Sequence, residues 1–250
     1  MRPTGMRLAG CTALVTGASS GIGAASAHAL YAAGARLVLV GRDTERLEKV
    51  AARTGGVPLT ADLTDARDLD RICRAASDVD LLVHSAGRGW AGELAAMPAD
   101  RVSELTALNL LAPLRLTAAA VPGMRSRGRG HLVFVSSIAS VGVRGEAVYA
   151  ASKAGLRAFA ASVRYEIAAD GMGVTTVFPA AVATPFFDKR GKRYDRRFPR
   201  PVSAEVVAAA LVRAVRQGTA EIFVPRWLTV PARINGALPE LFHRVSTRLG

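Results

Sequence analysis

Tyr149 and Lys153 stand four residues apart in Tyr149-Ala150-Ala151-Ser152-Lys153, a spacing that places a phenol and an ammonium on one face of a helix. A free tyrosine titrates near about pH 10 and exchanges protons poorly at neutrality. Lowering that value by about 3 units takes roughly 4 kcal/mol, and one positive charge at about 4 Å supplies an energy of that order at an effective dielectric near 20. Lys153 is therefore expected to bring Tyr149 most of the way to a working general acid/base, suited to interconverting a carbonyl and an alcohol. Upstream, Ser136-Ser137 closes an apolar run. Ser137 is positioned to hydrogen-bond the same carbonyl oxygen as charge develops on it, and Ser136 is its rival.

A second constellation handles charge of the opposite sign. Thr16-Gly17-Ala18-Ser19-Ser20-Gly21-Ile22-Gly23 follows a β-branched run and opens an Ala-rich helical stretch. Glycines there let the backbone turn tightly and approach a pyrophosphate, whose charge the free N–H groups and dipole of the helix N-terminus stabilise. A dinucleotide is the expected ligand, and an oxidised nicotinamide would add positive charge near the phenol. Arg42 follows the second strand, in Val40-Gly41-Arg42-Asp43. With Gly41 where an acidic residue would bind a ribose hydroxyl, Arg42 favours a 2′-phosphate, so NADP(H) is expected to be preferred over NAD(H). Asp43 is read as a helix cap, the alternative being a turn of specificity toward NAD(H).

The glycine turn, the serine pair and the Tyr149-to-Lys153 segment, in this order, resemble the short-chain dehydrogenase/reductase family over about residues 8 to 225. The resemblance implies that Asn109, in Leu108-Asn109-Leu110, joins a water-mediated proton relay with Lys153, that Lys153 also binds ribose, and that Thr184 holds the cofactor carboxamide. It implies an adenine contact at Asp62, with Leu63 beside it; a cap or turn after the third strand is the other reading. It also implies a homo-dimer or homo-tetramer. The family's Asn-Asn-Ala-Gly is here His84-Ser85-Ala86-Gly87, where Ala86 and Gly87 still permit close backbone approach, and its Pro-Gly is Pro179-Ala180. His84 is read as strand-end structure.

The elements that must hold these groups alternate. Short apolar runs at Thr12 to Val15, Arg36 to Val40, Val57 to Thr60, Leu81 to Val83, Leu132 to Val135, Val174 to Phe178 and Glu221 to Val224 are separated by helical patterns. The helices are expected at Gly21 to Ala33, Thr44 to Arg53, Asp65 to Ser77, Asp100 to Arg127, Ala147 to Ala169 and Ser203 to Gln217. Continuously apolar strands need cover on both faces, which predicts an α/β fold: a doubly wound, Rossmann-like, seven-stranded parallel sheet in a single domain spanning residues 1 to 250.

Half of the 250 residues are hydrophobic, which excludes a disordered chain. Cys11 and Cys73 belong to no metal-ligand pattern, so no metal is expected. The net charge of +13 comes mostly from dispersed arginine, with only four lysines, and no basic stripe interleaved with aromatics marks a nucleic-acid surface. No uninterrupted apolar run reaches the roughly 18 residues of a membrane span, and the first residues lead into no signal-peptide core, so the cytoplasm is the expected compartment. Residues 186 to 202 are aromatic and basic, and are read as a lid: Phe186, Phe187, Tyr194 and Phe198 could line a pocket for a hydrophobic substrate, its cations could meet a phosphopantetheine or CoA phosphate, or the loop is simply solvated. The extension from about 226 to 250, with Trp227, Leu228, Leu238, Leu241 and Phe242, is read as packed against the body or a subunit, with membrane-surface contact as the alternative. The rival to an enzyme acting on a small carbonyl or alcohol is a nucleotide-binding sensor or scaffold of the same fold.

Overall fold

The structure is a computed structural model, described here for residues 5–192, 194, 200–237 and 240. The expected strands form: β1 (Thr12–Thr16), β2 (Arg36–Gly41), β3 (Val57–Thr60), β4 (Leu81–His84), β5 (Gly130–Val135), β6 (Met172–Pro179) and β7 (Glu221–Val224). They make one sheet in the order β3-β2-β1-β4-β5-β6-β7, and every pairing is parallel. β4, β5 and β6 are buried along their whole length, whereas β3 is an edge strand whose residues are largely exposed. Runs such as Leu81-Leu82-Val83 are apolar at every position because both faces of a central parallel strand lie under helices.

One face is covered by α1 (Gly21–Ala32), α2 (Thr44–Thr54) and α8 (Ala204–Gln217), which bury Leu30, Leu47 and Leu211 against Val15, Leu39 and Val177. The other is covered by α3 (Ala66–Ala76), α5 (Ala112–Ser126) and α6 (Ala147–Glu166), with Ile72, Leu116 and Leu156 packed on Leu14, Leu82 and Phe134. At roughly 1.5–3 kcal/mol for each fully buried large apolar side chain, these two layers are what hold the strand ends in register. Strand order reverses between β1 and β4, and in sheets of this kind ligands bind outside the carboxyl ends of the strands at that reversal.

Three elements differ from expectation. The helix expected from Asp100 to Arg127 is α4 (Ala99–Thr106), a π turn at Ala107–Leu111 and α5. The π turn carries Asn109, and such bulges recur at functional sites. Ala99–Ser126 is long and apolar enough to cross a membrane by length and composition, yet Leu105, Leu116, Ala120 and Met124 are buried within the fold. In the presumed lid, Phe186–Lys189 forms a short helix, α7. In the tail, a 3-10 turn at Arg226–Leu228 leads into α9 (Thr229–Ala237), and Leu228 and Ala232 pack on Phe178 and Phe223. Phe198, Leu238, Leu241 and Phe242 lie outside the described residues.

Candidate functional site

A cavity of about 870 Å³ opens at the carboxyl ends of the strands. At one end the chain leaves β1 through Gly17, whose φ of +68° suits glycine, and a Cβ there would lie 2.8 Å from Ala86 Cα. Only glycine therefore lets the turn sit against the loop after β4. Thr16 fastens the two: its hydroxyl accepts from the N–H groups of Ser85 and Ala86, both at 3.1 Å. Sequence reading gave Thr16 no role, although its place as the last residue of β1 was the available signal.

Ser19, Ser20, Gly21, Ile22 and Gly23 line this end, joined by Ala86, Gly87 and Leu63. Ser20 is the cap residue of α1 but its side chain makes no capping bond, so the first N–H groups of the helix have no acceptor from it. Gly21, with φ of +55°, lies beside Thr184: a Cβ there would stand 3.1 Å from Thr184 Cγ2. Arg42 also lines the cavity and pairs with Asp62 at 3.2 Å.

Asp62 itself does not line the cavity. One carboxylate oxygen accepts from the Thr64 N–H and hydroxyl at 2.9 and 2.7 Å and the other from Arg42, the local turn that the alternative reading described. Its pKa is held below the usual carboxylate range, because the bonds from Thr64 and Arg42 together outweigh partial burial, which alone would raise it. Asp43 accepts from the Arg46 N–H at 3.0 Å and so caps α2 as expected.

At the other end, Tyr149 and Lys153 occupy one buried face of α6, both lining the cavity with Ser137. The two serines part company. Ser136 donates to the Lys153 carbonyl at 3.0 Å, whereas the Ser137 hydroxyl lies close enough to Tyr149 to lower its pKa. Ser137 also accepts from the Ala139 N–H at 3.1 Å, which fixes its side chain. Asn109 is fully buried behind the cavity wall. Its amide donates to the Arg88 carbonyl at 2.8 Å and to Ser152 Oγ at 3.1 Å, and its oxygen accepts from the Arg88 N–H at 2.9 Å. Gly87 is what brings it near the lysine: a Cβ there would lie 3.2 Å from Asn109 Oδ1 and 3.4 Å from Lys153 Nζ.

The charge arithmetic of the sequence needs correction here. Burial pushes the Tyr149 hydroxyl up to about 12, with Glu146 adding to the rise and Ser137 and Arg190 opposing it. Burial also pushes Lys153 down to about 8. The Lys153 ammonium lies 5.9 Å from the centre of the phenol ring and donates to the Val135 carbonyl at 2.9 Å. Closing the site removes water from both groups, and within the protein's own groups that loss exceeds the attraction between them. His84 is structural, as read: it stacks on Phe134, bonds Thr117 at 2.9 Å, and burial lowers its pKa to about 3.

Residues 186 to 192 do not form the open solvated loop that was one reading. Phe186 packs on the Tyr149 ring with centres 5.6 Å apart, and Phe187 and Tyr194 continue the aromatic surface. Arg190 is buried, lies over the Phe187 ring at 4.7 Å and forms an ion pair with Glu146. Glu146 escaped sequence reading, since nothing local marks it. Arg88, paired with Glu104 at the cavity wall, escaped it as well.

Comparison with known proteins agrees with this geometry. The family model for short chain dehydrogenases matches residues 11–195. An uncharacterized oxidoreductase of Myxococcus xanthus is 36% identical over 252 aligned positions, covering 95% of this chain and 97% of that protein. Among solved structures, a short-chain dehydrogenase from Sphingobium yanoikuyae in complex with NADPH superposes with a TM-score of 0.83 at 28% identity, over 92% of this chain and 95% of that one. The bulky-bulky ketone specific alcohol dehydrogenase from Comamonas testosteroni does so with a TM-score of 0.77 at 28% identity, over 92% and 94%. A parallel sheet with its glycine turn at the strand reversal, and relatives matched over nearly their full length, place this chain in the short-chain dehydrogenase/reductase family of oxidoreductases.

Proposed function

We propose that this chain is an NADP(H)-dependent enzyme that interconverts a ketone and a secondary alcohol on a hydrophobic substrate, with Tyr149 as the proton donor and acceptor. The observation that carries the reading is the position of the Tyr149 hydroxyl. It stands beside Ser137 and on the same buried face as Lys153, in a cavity continuous with the glycine turn.

The residues present fit a dinucleotide. The turn from Gly17 to Gly23 offers unpaired N–H groups for a pyrophosphate, Arg42 a guanidinium for a 2′-phosphate, and Thr184 a hydroxyl for a carboxamide. Asp43, occupied in capping α2, leaves no acidic group committed to a ribose 2′-hydroxyl, which supports NADP(H) over NAD(H). When bound, the cofactor supplies or accepts the hydride and, oxidised, brings a positive charge into the cavity. Ser137 steadies the substrate oxygen, Tyr149 passes the proton, and Lys153 orients the ribose and favours the phenolate. Asn109, through Arg88 and Ser152, shapes the proton relay behind the lysine. Leu63 lines the cavity toward the adenine, and Asp62 acts there through its pair with Arg42.

Phe186, Phe187, Tyr194 and Val143 make the substrate end apolar, which supports a ketone carrying bulky hydrophobic groups. The similarity to the bulky-bulky ketone specific alcohol dehydrogenase of Comamonas testosteroni points the same way. Exposed Val102 and Leu111 on the α4–α5 arm support self-association, and residence in the cytoplasm completes the proposal. The test is a panel of aryl ketones, short aliphatic ketones and 3-ketoacyl thioesters, each with NADPH and NADH side by side. Oxidation of NADPH with the aryl ketones is the expected result. Tight NADPH binding without turnover on any of them would instead favour a sensor.

A further inference from the structure

Three loops meet over Tyr149: residues 89–92 after β4, residues 142–146 before α6, and residues 186–192 around α7. Their backbones are tied in series, the Gly92 N–H donating to the Gly145 carbonyl at 2.8 Å and the Ala91 N–H to the Arg190 carbonyl at 3.1 Å. One side chain joins the outer two. Arg190 is only 8% exposed; its guanidinium pairs with Glu146, lies 4.7 Å over Phe187, and through its Nε donates to the Lys192 carbonyl at 2.9 Å. Phe187 meets Phe186 edge-on at 5.6 Å, and Phe186 meets Tyr149. Gly89 leaves room for that contact, since a Cβ there would stand 2.6 Å from Phe186 Cζ.

We propose that the Glu146–Arg190 ion pair is a clasp that holds the Phe186–Phe187 roof over Tyr149, making both residues positioning residues that set how large and how apolar a substrate the site accepts. Two charges taken out of water this far persist only when each satisfies the other, so losing one partner leaves a buried charge that escapes by moving its loop into solvent. The two charges of the clasp also act on Tyr149 in opposite senses. That phenol faces Lys153 from its own helix, Glu146 from the loop before it, Ser137 from the turn after β5, and Arg190 from the α7 loop. Glu146 raises its pKa and Arg190 lowers it. The kinetic consequences rest on the ketone-reductase reading, but the closure of the loops does not.

The experiment combines three variants, Glu146→Gln, Arg190→Met and the two together. Amide exchange is read without added cofactor at the N–H groups of Ala91 and Gly92 and across residues 186–192. Each single variant should speed exchange there at least tenfold, while the double variant, which buries no unpaired charge, should return to within about threefold of the parent. With a bulky ketone, the singles should raise KM about tenfold and move the pH limb assigned to Tyr149 in opposite directions, up for Arg190→Met and down for Glu146→Gln, with the double variant between them. A purely structural role would not split the limb by sign. Unchanged exchange in the singles, or effects that simply multiply in the double variant, would overturn the clasp. Failure to find any reducible ketone would sink the functional proposal and leave the exchange result to decide the clasp.

Discussion

Ser136 donates its hydroxyl proton to the carbonyl of Lys153 at 3.0 Å, tying the end of β5 to the turn of α6 that carries the lysine. Its neighbour Ser137 is thereby left facing Tyr149. The two hydroxyls, adjacent in sequence, do different work, and substitution should separate them. Ser136→Ala removes the bond that joins the end of β5 to α6, although the Lys153 carbonyl stays inside the helix, and should cost about 1 kcal/mol of stability, read by urea unfolding. Ser137→Ala, which takes the acceptor from the buried Ala139 N–H, should also cost about 1 kcal/mol of stability, but it should cut kcat by about 10²- to 10³-fold, the scale for one stabilising donor, where Ser136→Ala should not. Equal effects of the two substitutions on kcat would reject the assignment.

Arg42, which lines the cavity, forms an exposed pair with Asp62. Arg42→Ala should weaken NADPH binding by about 10- to 100-fold and leave NADH binding within about threefold, since only the former carries a 2′-phosphate for the guanidinium. Fluorescence titration with both cofactors at two salt concentrations checks this, and the NADPH loss should shrink at high salt.

Two buried histidines make stability fall on acidification. Burial lowers His84 to about 3 and His131 to about 4, both below the ordinary 6.5 of an unfolded chain. The neutral rings therefore contribute fully above about pH 6.5, and that contribution is lost as pH falls toward the folded values. Each should account for about 1.4 kcal/mol per pH unit between about pH 6 and 5. His131→Gln, which keeps a polar group near Thr175, should flatten the pH dependence of unfolding free energy by about that amount. An unaltered slope would contradict burial of a neutral ring.

The glycine turn makes a prediction about packing. Gly17→Ala places a methyl against the Ala86 backbone at a left-handed φ, so it should destabilise by about 2 kcal/mol or more and also impair cofactor binding. Thermal unfolding with and without NADPH reads both.

The parallel strands are legible in the sequence because central ones such as β4 and β5 are covered on both faces and so carry the unbroken apolar runs Leu81 to Val83 and Leu132 to Val135. Tyr149 and Lys153 are legible because helical spacing is local. The π turn at Asn109 is not, since the apolar rhythm from Leu105 to Leu116 passes through it without a glycine or proline inside the turn. Arg190 looks like one cation among many in a basic segment. Its burial depends on Glu146, 44 positions away, and on rings brought together only by the fold. The rise of the Tyr149 pKa is illegible for a related reason: the Coulomb energy between two groups contains their attraction but not the water both lose when α6 packs down. α9 is hidden by Pro231 and Gly236, which read as loop residues although a proline is tolerated in a helix's first turn.

The central claim is that the Tyr149 hydroxyl transfers the proton. The most direct measurement compares Tyr149→Phe with the parent for NADPH affinity and for NADPH oxidation with a ketone the parent reduces. The account predicts NADPH binding within about threefold of the parent and turnover lower by about 10²- to 10⁴-fold, the range supplied by a positioned general acid. Turnover retained in the phenylalanine variant would contradict it.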